Sequence, residues 1–414
     1  MKDHYYSWSR RCGSDAVPGI LGLTASPVMK SKVDPASLRS VAVMYACSLL
    51  TDSARLIECN LNAISKTPRV HRDELRRFVH LPALIHLDYD IEADPEGPGA
   101  LDGLLETCEN IDIWQDPYVL KLTADGATSA HEVNGVAVSR KTHSQEELRR
   151  FYGKASHINL ELGLWAVKRY IHSSVEKLRT ALTSEGNVLY GWKEDEKAFV
   201  YNVLSRKLTL GRASPRSRDL PLVVSAKVEK LIGFLGAQRD RQFSGIIFVK
   251  QRATAVMLHQ LLMAHPETKH LSCATFVGTS NSSSRKASIG DLVDVSQQSQ
   301  VLDDFRLGKR DLVIATSVLE EGIDVSSCNL VVCFNKPDNL KSFIQRRGRA
   351  RDSQSVFVMM LSREDTLLRG RKWQELEETM IQTFQEERGK QQEILHREEV
   401  PEPGQRRFEI ESTG

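Results

Sequence analysis

A chain of 414 residues is long enough to bury two or three domain cores. Its formal net charge of +2, from 56 Lys+Arg against 54 Asp+Glu, gives no global polyanion signal, so any nucleic-acid contact has to be argued from local patches. The seven cysteines form no CxxC pair with zinc-type His spacing and fit a reduced intracellular compartment, cytoplasmic or nuclear; with no apolar stretch of about 18 residues and no apolar h-region near Met1, neither a membrane span nor a secretory signal is expected.

Residues 19–27, GILGLTASP, read as a short apolar strand stopped by a turn at Pro27. A helix follows over 37–50, with Asp34-Pro35 as cap and first-turn proline. Pro95, Gly97, Pro98 and Gly99 then crowd into ADPEGPGALDG, the first domain boundary. From there to a second linker, RASPRSRDLP at 212–221, the pattern is helical: Ser144 and Glu147 have capping-box spacing, and Leu160, Leu164, Val167, Ile171, Val175, Leu178 and Leu182 predict one helix over 159–182.

After Pro221 the pattern alternates. Apolar runs at 246–249, 274–277, 312–315, 330–334 and 356–361 have the continuity of strands covered on both faces, and helical segments at 252–264 and 297–305 separate several of them. These units predict a doubly wound parallel sheet. GTSNSSSRKAS at 278–288 reads as a surface loop, and Trp373, Leu376, Met380 and Phe384 keep an apolar stripe on a charged C-terminal helix that gives way to a tail near Glu398.

The chemistry-bearing residues sit at the strand ends. Thr316 follows the 312–315 strand, where open α/β sheets bind ligands, and a hydroxyl there suits a nucleic-acid phosphate. Lys250 and Arg252 lie where the 246–249 strand enters a helix whose N-terminus favours anions; an ordinary βα turn with a solvated charge is the plain alternative. Thr279 and Ser280, after the next strand, offer backbone and hydroxyl donors in the same geometry. Downstream, QRRGRAR at 345–351 concentrates guanidinium groups, which bind phosphate oxygens through two parallel donors. A basic import or non-specific binding patch is the alternative for that cluster taken by itself. Glu320 and Glu321, being adjacent, do not converge as an acid/base pair and read as structural or as partners for the arginines. His143, His157, His172 and His259 have no ligand spacing, and no metal site is expected.

LTASP at 23–27, IIFVKQR at 246–252, ATSVLEEGID at 315–324 and QRRGRAR at 345–351 together resemble the helicase region of the Dicer family, fungal type, with a superfamily 2 helicase C-terminal domain. The resemblance implies an α/β fold in four parts: 1–100, a remnant of a first RecA-like domain and the segment after it; 101–215, an all-helical insertion; 216–365, a second RecA-like domain; and 366–414, a helical connector and tail. It implies ATP as cofactor, with Gln345, Arg349 and Arg351 facing the γ-phosphate, Gly322 and Asp324 on the nucleotide side, and Thr24 and Ser26 coupling ATP state to movement. Lys250, Arg252, Thr279, Ser280 and Thr316 would touch double-stranded RNA, the implied partner, in silencing and antiviral defence.

The sequence contains no GxxxxGK[ST] phosphate loop and no DExH tetrad, so Mg²⁺ ligands and catalytic base would come from a missing first-domain portion. Weak or absent ATP turnover is therefore expected of this stretch alone. Three readings stay open: a partial Dicer-like helicase contributing the second half of an ATP-dependent machine, a non-catalytic RNA-binding or regulatory module that pairs with an intact helicase or Dicer-like partner, and an incomplete gene model of a full Dicer-like endoribonuclease.

Overall fold

The computed structural model describes residues 82–91, 99–125, 129–139, 141–183, 189, 191–208, 222–238, 244–278, 288–291, 298–320, 323, 325, 328–352, 354–365, 373 and 375. By internal contacts the chain divides into two compact units, one holding His80–Pro337 and Arg346–Gly370, the other Met1–Val79, Asp338–Gln345 and Arg371–Gly414.

The larger unit contains a six-stranded, wholly parallel sheet. Its strands are β1 (Ala83–Tyr89), β2 (Gly245–Phe248), β3 (Cys273–Phe276), β4 (Leu312–Ala315), β5 (Leu330–Cys333) and β6 (Val356–Ser362), in the order β1-β6-β5-β2-β4-β3. Every residue of β2, β4 and β5 is buried, as the unbroken apolar runs require of central parallel strands. Five strands lie within one residue of the positions expected from sequence, and the fold is the α/β, RecA-like one. The sixth is a difference: Ala83–Tyr89 falls in the stretch assigned to a first-domain remnant, yet it pairs in register with β6. Its sequence, ALIHLDY, alternates too weakly to announce a strand, and its hydrogen-bond partners come from β6 and from Ser355 just before it.

Between β1 and β2 the elements are all helical: α1 (Gly99–Glu109), a 3₁₀ turn (Ile113–Gln115), α2 (Pro117–Ala124), α3 (Ala130–Ser139), α4 (His143–Leu162), α5 (Leu164–Thr183), α6 (Glu194–Leu208) and α7 (Ala226–Gly236). The first six of those helices lie in the stretch whose sequence pattern is helical. The cap of α4 is Thr142, not Ser144: its hydroxyl accepts from the Gln145 amide and donates to Asp116 Oδ2 at 2.6 Å, and Asp116 in turn caps α2 through the Tyr118 amide. Ser144 and Glu147 are instead buried.

The single helix expected over 159–182 is two, because the apolar spacing runs unbroken through a joint at Gly163. There φ is +92°, and a Cβ would lie 2.6 Å from the Ser225 amide nitrogen. Residues 222–225 dock in that gap: Trp165 donates to Val223 O, Ser225 N to Leu162 O, and Ser225 Oγ to Glu161 O. Leu148, Phe151, Ala155, Ile158 and Leu162 line one face of α4, and Phe151 stacks on Tyr170 of α5 at 5.4 Å. This apolar cluster continues without a break into α8 (Arg252–Ala264) and the sheet. The remaining helices are α9 (Gln298–Arg306) and α10 (Leu340–Arg347).

The smaller unit has few described residues; in it Phe343 stacks on Trp373 with ring centroids 6.0 Å apart. Thr24, Ser26, the 37–50 helix and the 212–221 linker lie outside the described residues, as does the connector and tail over 366–414 apart from Trp373 and Glu375.

Candidate functional site

Parallel strands all end on one edge of a sheet, where open α/β folds collect ligand-binding groups. Phe248, Phe276, Ala315 and Cys333 are level with one another in the register, so the residues after them share that edge. Two side chains fasten it. Thr316 Oγ1 accepts from the Gly278 amide at 3.4 Å, joining the exits of β3 and β4, and Asn335 Oδ1 accepts from the Lys250 amide at 2.9 Å, joining the exits of β2 and β5. A hydroxyl that accepts one bond keeps its proton for another acceptor, so Thr316 can still donate.

Lys250 and Arg252 are brought to this edge as expected. Arg252 opens α8, whose N-cap Gln251 makes no side-chain capping bond and whose first turn carries no acidic residue. The positive end of that helix dipole is thus left without a protein carboxylate in its first turn. Thr279 and Ser280 lie outside the described residues, and so do Gly322 and Asp324.

The arginine cluster is built differently from its expected roles. Arg346, to which the sequence reading gave no role of its own, is the ionic centre: 4% exposed, it donates from Nε to Glu320 Oε1 at 2.8 Å and from Nη1 to Asn335 O at 2.9 Å, and its guanidinium lies 5.1 Å from the Phe248 ring centroid. Arg349 is 8% exposed and spends both terminal nitrogens on main-chain carbonyls, Nη1 on Ile323 O at 2.8 Å and Nη2 on Glu320 O at 3.0 Å. Arg351 is exposed, with Nε donating to Gly348 O. Gln345 is buried and belongs to the smaller unit. Glu320 has the arginine-partner role expected of it. Beneath this cluster burial pushes the Cys333 thiol up to about 11.

Three further residues at the site carry no sequence signal. Glu161 ends α4 with its carboxylate against Lys227 Nζ at 2.5 Å and Asn335 Nδ2 at 3.0 Å, and Lys227 Nζ stands 4.2 Å from the Phe334 ring centroid and 5.2 Å from that of Tyr89. Glu161 and Asn335 are 174 residues apart in the chain, which no local spacing can encode. Among the described residues no three His, Cys, Asp or Glu gather as a metal-binding group, and no helix is long and apolar enough to cross a membrane.

Residues 226–353 match the family model of the helicase conserved C-terminal domain. Over its whole length the chain is 42% identical to Dicer-like protein 2 of Aspergillus terreus and 40% identical to Dicer-like protein 2 of Neosartorya fischeri, covering 29% of each. Dicer-like protein 2 of Phaeosphaeria nodorum is 36% identical, again with 29% covered. The chain thus spans under a third of the length of these curated relatives. Among solved structures, the Pyrococcus furiosus Hef helicase domain aligns at 17% identity with a TM-score of 0.34, over 72% of this chain and 59% of that one, a likeness too slight to argue from.

Proposed function

From the premise that this chain is a fungal Dicer-like helicase region with a superfamily 2 helicase C-terminal domain, we propose that it contributes the second half of an ATP-dependent double-stranded RNA helicase or translocase in RNA silencing and antiviral defence. The observation that carries this reading is the shared carboxyl edge of the sheet on which Lys250, Gly278, Thr316 and Asn335 lie, each within two residues of a strand end, with the strand exits fastened in pairs by side chains. Such an edge presents donors at fixed spacing to a sugar-phosphate backbone and reads no base, the division of labour expected where RNA is recognised by shape.

ATP would supply the phosphoryl group whose loss drives movement. Of the residues assigned to it, Arg351 is exposed and fits a phosphate contact. Arg349 fits a supporting place, since both ends of its fork hold the 320–323 segment. Without a phosphate loop in this stretch, its own ATP turnover is low.

The test is binding of the purified chain to a blunt RNA duplex of roughly 20 base pairs, followed by fluorescence anisotropy across a salt series. Affinity should fall with salt, and Lys250→Ala and Arg252→Ala should each make the slope shallower by about one unit. Binding unchanged by both substitutions overturns the RNA assignment, and brisk RNA-stimulated ATP hydrolysis by the chain alone overturns the division of the ATPase.

A further inference from the structure

An unbroken line of direct contacts runs from the helical insertion to the arginine segment. It starts at Glu161, whose Oε2 accepts from Asn335 Nδ2 at 3.0 Å. Asn335 is held on two other sides, by the Lys250 amide on its Oδ1 and by Arg346 Nη1 on its carbonyl. Arg346 pairs with Glu320, and the Glu320 carbonyl accepts from Arg349. Arg346 and Glu320 are both under a tenth exposed, so these bonds form in a medium where geometry is costly to change.

The origin of the line is itself rigidly mounted. Lys227, with only 5% of its side chain exposed, takes Glu161 as counter-ion, and Ser225 Oγ holds the Glu161 carbonyl at 2.7 Å. Fourteen residues up the same helix, Glu147 receives the Ile289 amide at 3.0 Å and the Ser288 hydroxyl. At 1.5 Å per residue, α4 therefore spans about 21 Å between two carboxylates, one on the segment that follows β3 and one on Asn335, two residues past β5. A rigid helix fixed at both points cannot shift along its axis without moving both.

We propose that Glu161 is a positioning residue through which the helical insertion sets the placement of Arg346 and Arg349, so that whatever the insertion grips regulates the arginine segment. This rests on reading that segment as nucleotide-facing. Asn335 is the transmitting element, because it touches the insertion, the β2 exit and Arg346 at once. Glu161→Gln keeps an acceptor for Asn335 but removes the countercharge of Lys227, whereas Asn335→Ala removes the link and leaves the ion pair intact.

Those two variants separate transmission from general loosening. Hydrogen–deuterium exchange of the purified chain, read peptide by peptide, is the measurement, with attention to the Arg349 and Ala350 amides that bond Arg346 O and Arg347 O. Asn335→Ala should speed exchange across 346–350 by about ten-fold while α5 stays protected, and Glu161→Ala should do the same. Glu161→Gln should lower the melting temperature yet leave 346–350 protected. Exchange at 346–350 that simply follows overall stability in all three variants, or changes confined to 158–165 and 222–228, overturns the proposal. Should Glu161→Ala not fold, the other two decide between the same outcomes. No RNA or nucleotide enters this experiment, so a chain that fails to bind RNA but shows the expected exchange pattern refutes the function above and leaves the coupling standing.

Discussion

Arg346 and Glu320 form an interior ion pair, with Nε and Oε1 2.8 Å apart and both side chains under a tenth exposed. Breaking such a pair from one side is costly because the remaining charge has lost its water and its partner. Glu320→Ala should therefore destabilise the chain by about 3–5 kcal/mol. Replacing both members by apolar residues, Glu320→Leu with Arg346→Met, should recover most of that loss, since neither charge is then stranded. Urea unfolding gives the comparison through the midpoint at constant slope. A Glu320→Ala cost under about 1 kcal/mol would mean that water reaches the pair.

Gly290 is required by Tyr170. A Cβ built on Gly290 would lie 2.0 Å from the tyrosine Oη, which already donates to the Gly290 carbonyl. Gly290→Ala should cost about 1–3 kcal/mol as the ring or the backbone yields. Tyr170→Phe by itself loses one hydrogen bond, about 0.5–1.5 kcal/mol, but it removes the clashing oxygen. The two changes should then be markedly less costly together than their sum, and a double-mutant cycle measures the difference. Strict additivity would show that Gly290 does not sit against the hydroxyl.

What the sequence revealed, and what it hid, follows one physical line. The apolar runs of β2, β4 and β5 predicted buried parallel strands because burial on both faces leaves no alternation, and Thr316 and Lys250 followed from being next after such runs. The 143–183 region kept its period through Gly163, so periodicity could not find a joint set by one backbone angle. β1 was missed because an edge strand needs its partner, β6, more than 260 residues later, and its own pattern is weak. Within QRRGRAR, sequence shows five residues able to bind phosphate and nothing of which are turned inward. Arg346 and Arg349 are bound to Glu320, Asn335 and Ile323, and only the packed structure distinguishes them from Arg351.

Gly163 occupies a left-handed angle that side chains rarely adopt, and it faces the Val224–Ser225 backbone at under 3 Å from a would-be Cβ. Gly163→Ala adds both strain and collision, for a cost of at least about 1–3 kcal/mol. Because residues 222–225 dock at this joint through Trp165 N, Leu162 O and Glu161 O, their amides should exchange faster in the variant, ahead of those in the α5 core. A variant as stable as the parent would require the two helices to run on as one, displacing Ser225.

Three buried thiols, Cys273, Cys328 and Cys333, and the half-buried Cys108 set an alkaline limit. Burial is the first cause in each case, raising Cys108, Cys273 and Cys328 to about 12 and Cys333 to about 11, from an ordinary 9.0. Glu109 reinforces the rise at Cys108 and Asp311 at Cys273. A thiol with a raised folded-state value keeps its proton when the unfolded chain has already lost it. Its stabilising contribution is therefore complete below pH 9 and is lost as pH climbs toward 11–12, at about 1.4 kcal/mol per pH unit for each thiol. Urea midpoints should fall steeply between roughly pH 9 and pH 11, and Cys333→Ala should reduce that slope by about one proton. At pH 8 the same burial keeps the thiolate scarce, so iodoacetamide should label these four positions far more slowly in the folded chain than in urea. Equal labelling rates in the two states, or a flat stability profile up to pH 10, would contradict the shielding of Cys273, Cys328 and Cys333.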